Sequence, residues 1–224
     1  MSENLIFEIA TWLIPLVIAI VFHEVAHGWV ANAFGDPTAR EQGRLSPNPI
    51  RHVDPVGTVA LPMILAVTGA PVFGWAKPVP VIAARLRNPR LHMMLVALAG
   101  PGINFLLALV SAFALAGVLA VGPSPGLGTD FLLANLQNLV LINLFLGVFN
   151  LLPVPPFDGG HVVEGLLPRR LVPAWQRFGR LSLFILIFLL LILPLLVPSA
   201  DVVERLVVPP VRWLLDIVTG LAGL

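Results

Sequence analysis

The sequence predicts an all-α polytopic membrane protein. Its core is three transmembrane helices with additional helices, and a re-entrant or short β element lies between the first and second core helices. Three observations predict this. The 224 residues are 58% hydrophobic and only 11% charged, with mean hydropathy +0.94. Soluble domains carry roughly 25% charged residues. Apolar runs at 5–33, 93–121, 131–153 and 181–198 are each near the roughly 20 residues that cross a hydrocarbon core about 30 Å thick. Finally, the stretches between these runs are short, so one domain covering 1–224 is expected, with a core at about 5–165 and C-terminal helices at about 166–224.

The first run, Leu5 to Ala33, begins with no Lys or Arg in residues 1–5. It reads as a retained transmembrane helix rather than a cleaved leader. Segment 57–69 is shorter and contains Pro62. It reads as a re-entrant hairpin or half-span, a form tolerated at membrane depth only where protein or a water-filled cavity covers it. Segment 74–82 holds Pro78 and Pro80, which preclude a central strand and leave an edge strand as the expectation. Runs 93–121 and 131–153 form the second and third core helices. Run 181–198 is expected to cross once more, and the tail 206–224 to lie in the interface or return.

Basic residues orient these spans. Arg40, Arg44 and Arg51 form one cluster, Lys77, Arg85, Arg87 and Arg90 a second, and Arg169, Arg170, Arg177 and Arg180 a third. Segment 122–130 carries none. All three clusters are expected on the cytoplasmic side. Helix 5–33 then runs outside to inside, 93–121 returns outward, and 131–153 runs inward again.

The first run ends in His23-Glu24-Val25-Ala26-His27, the H-E-x-x-H pattern of zinc hydrolases. Histidines at i and i+4 share one helix face and can reach one metal. The adjacent glutamate can take a proton from water. Ionisable groups at membrane depth are expensive and mark function by default. The chain has no cysteine, so any metal must sit on His, Asp or Glu.

A catalytic zinc site uses three protein ligands. The acidic candidate for the third is Asp158, which follows an apolar helix at its cytoplasmic end. His23 lies about 18 residues into its own inward-running helix, roughly 27 Å along the axis. Both groups therefore reach the cytoplasmic third of the bilayer. The prolines before Asp158, with Gly159 and Gly160 after it, break the helix and let the carboxylate turn into the bundle.

Three motifs in order strongly resemble the site-2 protease family of intramembrane zinc metalloproteases. They are H-E-x-x-H-G at His23 to Gly28, A-G-P-x-x-N at Ala99 to Asn104, and N-L-L-P-x-x-P-x-D-G-G at Asn150 to Gly160. The stretches 43–57 and 73–81 look like the minimal bacterial branch, which lacks PDZ and CBS domains. The resemblance covers roughly 15–165. It implies His23, His27 and Asp158 as ligands of one zinc per chain, and Glu24 as general base and later proton donor. It also implies Asn150 as a catalytic residue near the metal, a donor that stabilises the oxyanion, a contact type worth about 3–4 kcal/mol, or that orients the substrate. A helix–helix hydrogen bond is the other reading of Asn150. The resemblance further implies transmembrane protein substrates, a bacterial cell membrane, and an active site towards the cytoplasm. Such a substrate helix must unwind to expose a peptide bond, which Gly, Pro or Asn within it would ease.

Other polar residues admit two readings each. Asn104 is expected to bond across to the catalytic helix, with direct catalysis as the alternative. His52 and Asp54 either orient a zinc histidine or form a turn before Pro55. His161 is a weaker candidate ligand, and His92 is interfacial. The five tryptophans read as scattered anchors. A net charge of +1 indicates no nucleic-acid partner. Two competing functions remain, an ion or metal transporter and a non-proteolytic binder of transmembrane helices. The donor set of two histidines and one aspartate also suits cobalt or iron.

Overall fold

The computed structural model describes residues 2–60, 64, 76–197 and 202–224. Helix α1 (Ser2–Ala33) leads through α2 (Thr38–Glu41), a 3-10 turn at Pro49–His52 and a π-helical turn at Pro55–Ala60 to a short 3-10 turn at Ala83–Arg85. There follow α3 (Pro89–Val121), α4 (Leu127–Asn150), α5 (Asp158–Leu166) and α6 (Val172–Ile187). A π-helical turn (Phe188–Ile192), α7 (Leu193–Leu196), α8 (Val202–Leu206) and α9 (Val208–Ala222) complete the chain.

Among the described residues, three helices are long and apolar enough to cross a membrane: Leu5–Ala33, Pro89–Val121 and Leu127–Asn150. They pack against one another as a three-helix core. α3 starts before its apolar run because the Asn88 side chain accepts from the Leu91 N–H and Pro89 occupies the first turn. Gly122, in the left-handed region at φ 63°, ends it. The short link to α4 makes these two helices an antiparallel pair.

Pro15 sits inside α1 and cannot donate to the Thr11 carbonyl one turn back. Asn138 on α4 supplies the missing donor, with Nδ2 2.8 Å from that oxygen. A neighbouring helix thus satisfies the backbone group that a proline frees, as water-free surroundings require.

The run 181–198 is helical through Leu196, with a π-helical turn at Phe188–Ile192 joining α6 to α7. One expectation needs correction: there is no strand in the described part of 74–82, or anywhere among the described residues. Residues 76–82 are extended, but the Val79 and Ile82 donors go to side chains and the Lys77 donor goes to the His52 carbonyl, so no ladder forms. Val79 N–H donates to Glu24 Oε2 at 2.7 Å, and Ile82 N–H donates to Asp36 Oδ2 at 2.5 Å. Pro78 and Pro80 have no N–H to give. The re-entrant reading of 57–69 falls mostly outside the described residues; its described start belongs to the π-helical turn at Pro55–Ala60.

The tail helix α9 packs against α3 and α4. Val207, Val211 and Val218 are buried with Ala108, Ala112, Val140 and Leu144. Its place is therefore against the core pair.

Candidate metal centre

His23 and His27 lie one turn apart on α1, and Asp158 opens α5. Gly159 and Gly160 let α5 begin tight against the preceding loop. A Cβ on Gly159 would collide with the Leu151 and Leu152 carbonyls, and one on Gly160 would stand 2.6 Å from the Pro155 nitrogen. The Pro155–Pro156 peptide in that loop is cis. This compact reversal turns the Asp158 carboxylate back towards α1.

One donor atom from each residue meets the other two. His23 Nε2 and His27 Nε2 are 3.0 Å apart. Asp158 Oδ2 is 3.2 Å from the first and 3.4 Å from the second. Zinc bonds of about 2.0–2.1 Å in tetrahedral geometry place ligand atoms about 3.3 Å apart. The triangle of donors therefore has the size a zinc ion requires.

The protonation of the site follows from the far side of each ring. His23 Nδ1 lies 2.6 Å from Asn104 Oδ1. Asn104 Nδ2 in turn donates to Asn143 Oδ1 at 2.7 Å and to the Ala19 carbonyl at 3.3 Å. Asn143 Nδ2 donates to the Leu139 carbonyl at 2.8 Å. Each link fixes the orientation of the next amide, so His23 Nδ1 must carry the proton. His27 Nδ1 faces the Val96 carbonyl at 2.7 Å and must also donate. In the neutral imidazoles, the form that binds a metal, both Nε2 atoms are then left as bare lone pairs.

Two lone pairs and a carboxylate oxygen at van der Waals contact repel one another. Asp158 Oδ2 is buried and has no hydrogen-bond donor. Such an arrangement is costly without a cation at its centre, and neutral imidazoles with outward Nδ1–H bonds are the usual state of metal-bound histidine. The donor set fits zinc on chemistry as well as on distance.

Room for this centre comes from Gly100 on α3. A Cβ there would lie 2.5 Å from both His23 Cε1 and His27 Nε2. Any side chain would fill the space beside the donors. Pro101, the next residue, is buried in the same helix, and with Asn104 this places the Gly-Pro-x-x-Asn motif against His23 and His27.

Glu24 is joined to the extended segment 76–82 through its bond to Val79 N–H. That segment is held at other points too. Arg44 donates to the Lys77 carbonyl at 2.6 Å, and Lys77 N–H donates to the His52 carbonyl at 2.9 Å. Gly28, one residue after His27, lets Val79 approach: a Cβ on it would lie 3.0 Å from Val79 Cγ1.

The remaining candidates sort clearly. Asn150 Nδ2 donates to the Leu146 carbonyl at 3.0 Å, one turn back on α4. Asp54 Oδ1 accepts from Val56 N–H and Gly57 N–H at 3.0 and 2.6 Å, which makes the turn before Pro55. His52 Nε2 meets the Ser46 carbonyl. The outward nitrogens of His23 and His27 are already taken by Asn104 and Val96, so neither His52 nor Asp54 orients them. His161 lines a separate cavity. His92 stacks on Phe34, ring centroids 4.1 Å apart. The residue missed from sequence is Asn143. Its signal was available: a polar amide in the middle of an apolar run asks for a partner on another helix.

The model of Peptidase family M50 matches residues 11–132 and 127–193. The chain is 42% identical over 162 residues to the Bacillus subtilis protein named “Putative zinc metalloprotease YwhC”, covering 70% of this chain and 68% of that one. It is 29% identical over 195 residues to “Putative zinc metalloprotease Rip2” of Mycolicibacterium smegmatis, covering 85% and 68%. A protein of the same name from Mycobacterium tuberculosis is 32% identical over 192 residues, covering 84% and 66%. No solved structure matches the chain.

Proposed function

The chain belongs to peptidase family M50, the site-2 protease family, and is a zinc metalloprotease of the membrane; from that premise we propose that it cleaves peptide bonds within or beside the transmembrane segments of other membrane proteins. The observation that carries this reading is the trio of donors His23, His27 and Asp158, which closes between α1 and α5 at the end of an apolar helix long enough to span a bilayer. Such placement suits a substrate that arrives through the membrane.

The roles follow from the contacts. His23, His27 and Asp158 hold the zinc, which when bound acidifies water and polarises a carbonyl. Glu24 is the general base. Val79 N–H occupies Oε2, leaving Oε1 to take the proton of the attacking water and pass it to the leaving amine nitrogen. Asn150 uses one amide N–H on Leu146. Its second N–H is the donor for the carbonyl oxygen of the substrate as negative charge develops there. The basic clusters orient the site towards the cytoplasm of a bacterial cell. A cut there would release the cytoplasmic part of a membrane-anchored protein.

Zinc content and cleavage of a transmembrane reporter bearing helix-breaking residues test this together. Wild type and Glu24→Gln should both hold about one zinc per chain, and only wild type should cut. A Glu24→Gln variant that cuts at the wild-type rate removes Glu24 from the chemistry. Zinc binding by both without cleavage of any reporter favours a binding or transport role.

A further inference from the structure

A second polar site lies further along α5, lined by residues that take no part in the donor trio. Its cavity has a volume of about 320 Å³ and is lined by the first residues of α3 and α6 and by one face of α5. The polar groups facing it are Arg90, His161, Glu164 and Arg169, and Pro89 and Val172 are among its apolar walls. From these groups we propose that this cavity seats the phosphate ester headgroup of an anionic phospholipid.

Charge is the first argument. The lining holds two guanidinium groups and an imidazole against one carboxylate. That carboxylate already accepts from Gln176 Nε2, 2.7 Å from Glu164 Oε1. Arg90 is committed to structure, with Nε donating to the Gly165 carbonyl at 2.9 Å and its terminal nitrogen donating to the Leu167 carbonyl. It keeps its charge at the cavity wall. Arg169 is exposed and makes no hydrogen bond or ion pair with the described residues. A free guanidinium offers paired N–H donors that match the oxygens of a phosphate. Arg170, Arg177 and Arg180 add charge of the same sign to the same stretch. A metal cation is disfavoured in such a field.

Depth is the second argument. α3 has 33 residues, roughly 50 Å at 1.5 Å per residue, against a hydrocarbon core of about 30 Å. Its apolar run begins just after Arg90, so the Pro89–Arg90 end stands at headgroup level. Phospholipid phosphates are permanent neighbours there, and basic pockets between transmembrane helices at the cytoplasmic surface take anionic headgroups. The apolar wall of Pro89 and Val172 suits the glycerol that follows the phosphate. A bound lipid would tie the starts of α3 and α6 to α5, the helix whose first residue is Asp158.

Native mass spectrometry of the full chain tests this, using phosphatidylglycerol and phosphatidylcholine as probes and inorganic phosphate as competitor. Wild type should retain phosphatidylglycerol in preference to phosphatidylcholine. Arg169→Gln should lower that retention about tenfold, as loss of a charge-assisted hydrogen bond implies. Arg212→Gln should leave it unchanged, since Arg212 pairs with Glu204 on another part of the surface. If inorganic phosphate binds wild type but not Arg169→Gln and neither lipid is preferred, the site stands with a soluble phosphate ester as its ligand. Equal retention of both lipids without phosphate binding, or retention unchanged by Arg169→Gln, overturns the proposal.

Discussion

Asn143 and Leu144 are sequence neighbours on α4, both essentially inaccessible at 0% and 1% exposure, yet they belong to two different kinds of interior. Asn143 faces the zinc end, where Asn104 and His23 continue a directed chain of hydrogen bonds. Leu144 faces the tail helix, where Ala108, Ala112, Val140, Val207, Val211 and Val218 meet by shape alone. In a bilayer, apolar contact between helices has no water to escape, so close packing of small residues holds the second region. The first is held by bonds with fixed donors and acceptors. It therefore sets protonation and angle as well as proximity. Substitutions at the zinc end should disturb metal binding, and substitutions at the tail end should disturb stability alone.

The largest effect should come from Gly100→Ala. Its Cβ would overlap the His23 and His27 imidazoles, so either the rings or α3 must shift, and misplacement of about 1 Å costs on the order of 100-fold in activity. Cleavage assays and zinc titration should fall together. Wild-type values for both would mean the rings are not held where the structure puts them.

Asn104→Leu should weaken zinc binding by about 10- to 100-fold, the usual cost of losing the partner of a metal-bound histidine. Asn104→Asp should recover much of this, because an acceptor still faces His23 Nδ1. Competition with a chelator measures both. Equal loss in the two variants would make Asn104 a spacer rather than the group that orients His23.

Ala112→Leu should do the opposite. Overfilling the apolar cluster should lower unfolding stability by about 1–3 kcal/mol with zinc affinity unchanged. Thermal unfolding in detergent with parallel zinc analysis checks it. A shift in zinc affinity would show that the two interiors are coupled along α4.

The smallest effect concerns pH, at a polar group outside the helical core. Asp36 is fully buried, which by itself raises its pKa. The Thr38 hydroxyl, Ile82 N–H, Thr38 N–H and the Arg85 charge together outweigh burial and hold it below the ordinary carboxylate value. A depressed folded pKa contributes stability that is complete above the unfolded value, near 3.9. It is lost as pH falls through the lower folded value. Asp36→Asn should flatten this acid limb in unfolding curves taken from neutral pH downwards. A variant curve parallel to wild type would assign the acid limb elsewhere.

Much of the zinc end was legible in sequence because its groups are unaffordable in a bilayer without a purpose. His23, Glu24, His27 and Asp158 stand out against an apolar background, and helix periodicity and span length bring three of them to one depth. What sequence spacing does not reveal is which neighbour each donor meets across helices. The Asn104–Asn143 link and the Val96 carbonyl under His27 depend on how α1, α3 and α4 are rotated. Segment 74–82 reads as an edge strand because Pro78 and Pro80 exclude a central one. Its Val79 and Ile82 donors instead pair with Glu24 and Asp36, acids distant in sequence. The run 181–198 has the composition of a span, but the π-helical turn within it appears only in the fold.

The most direct test of the account is the metal content and ligand environment of purified protein, by elemental analysis and zinc X-ray absorption. Wild type should hold about one zinc on two imidazole nitrogens and a carboxylate oxygen at about 2.0–2.2 Å. His23→Ala and Asp158→Ala should each lose it while remaining folded. Full zinc occupancy in either variant, or no zinc in wild type, would contradict the assignment of His23, His27 and Asp158 as the metal centre.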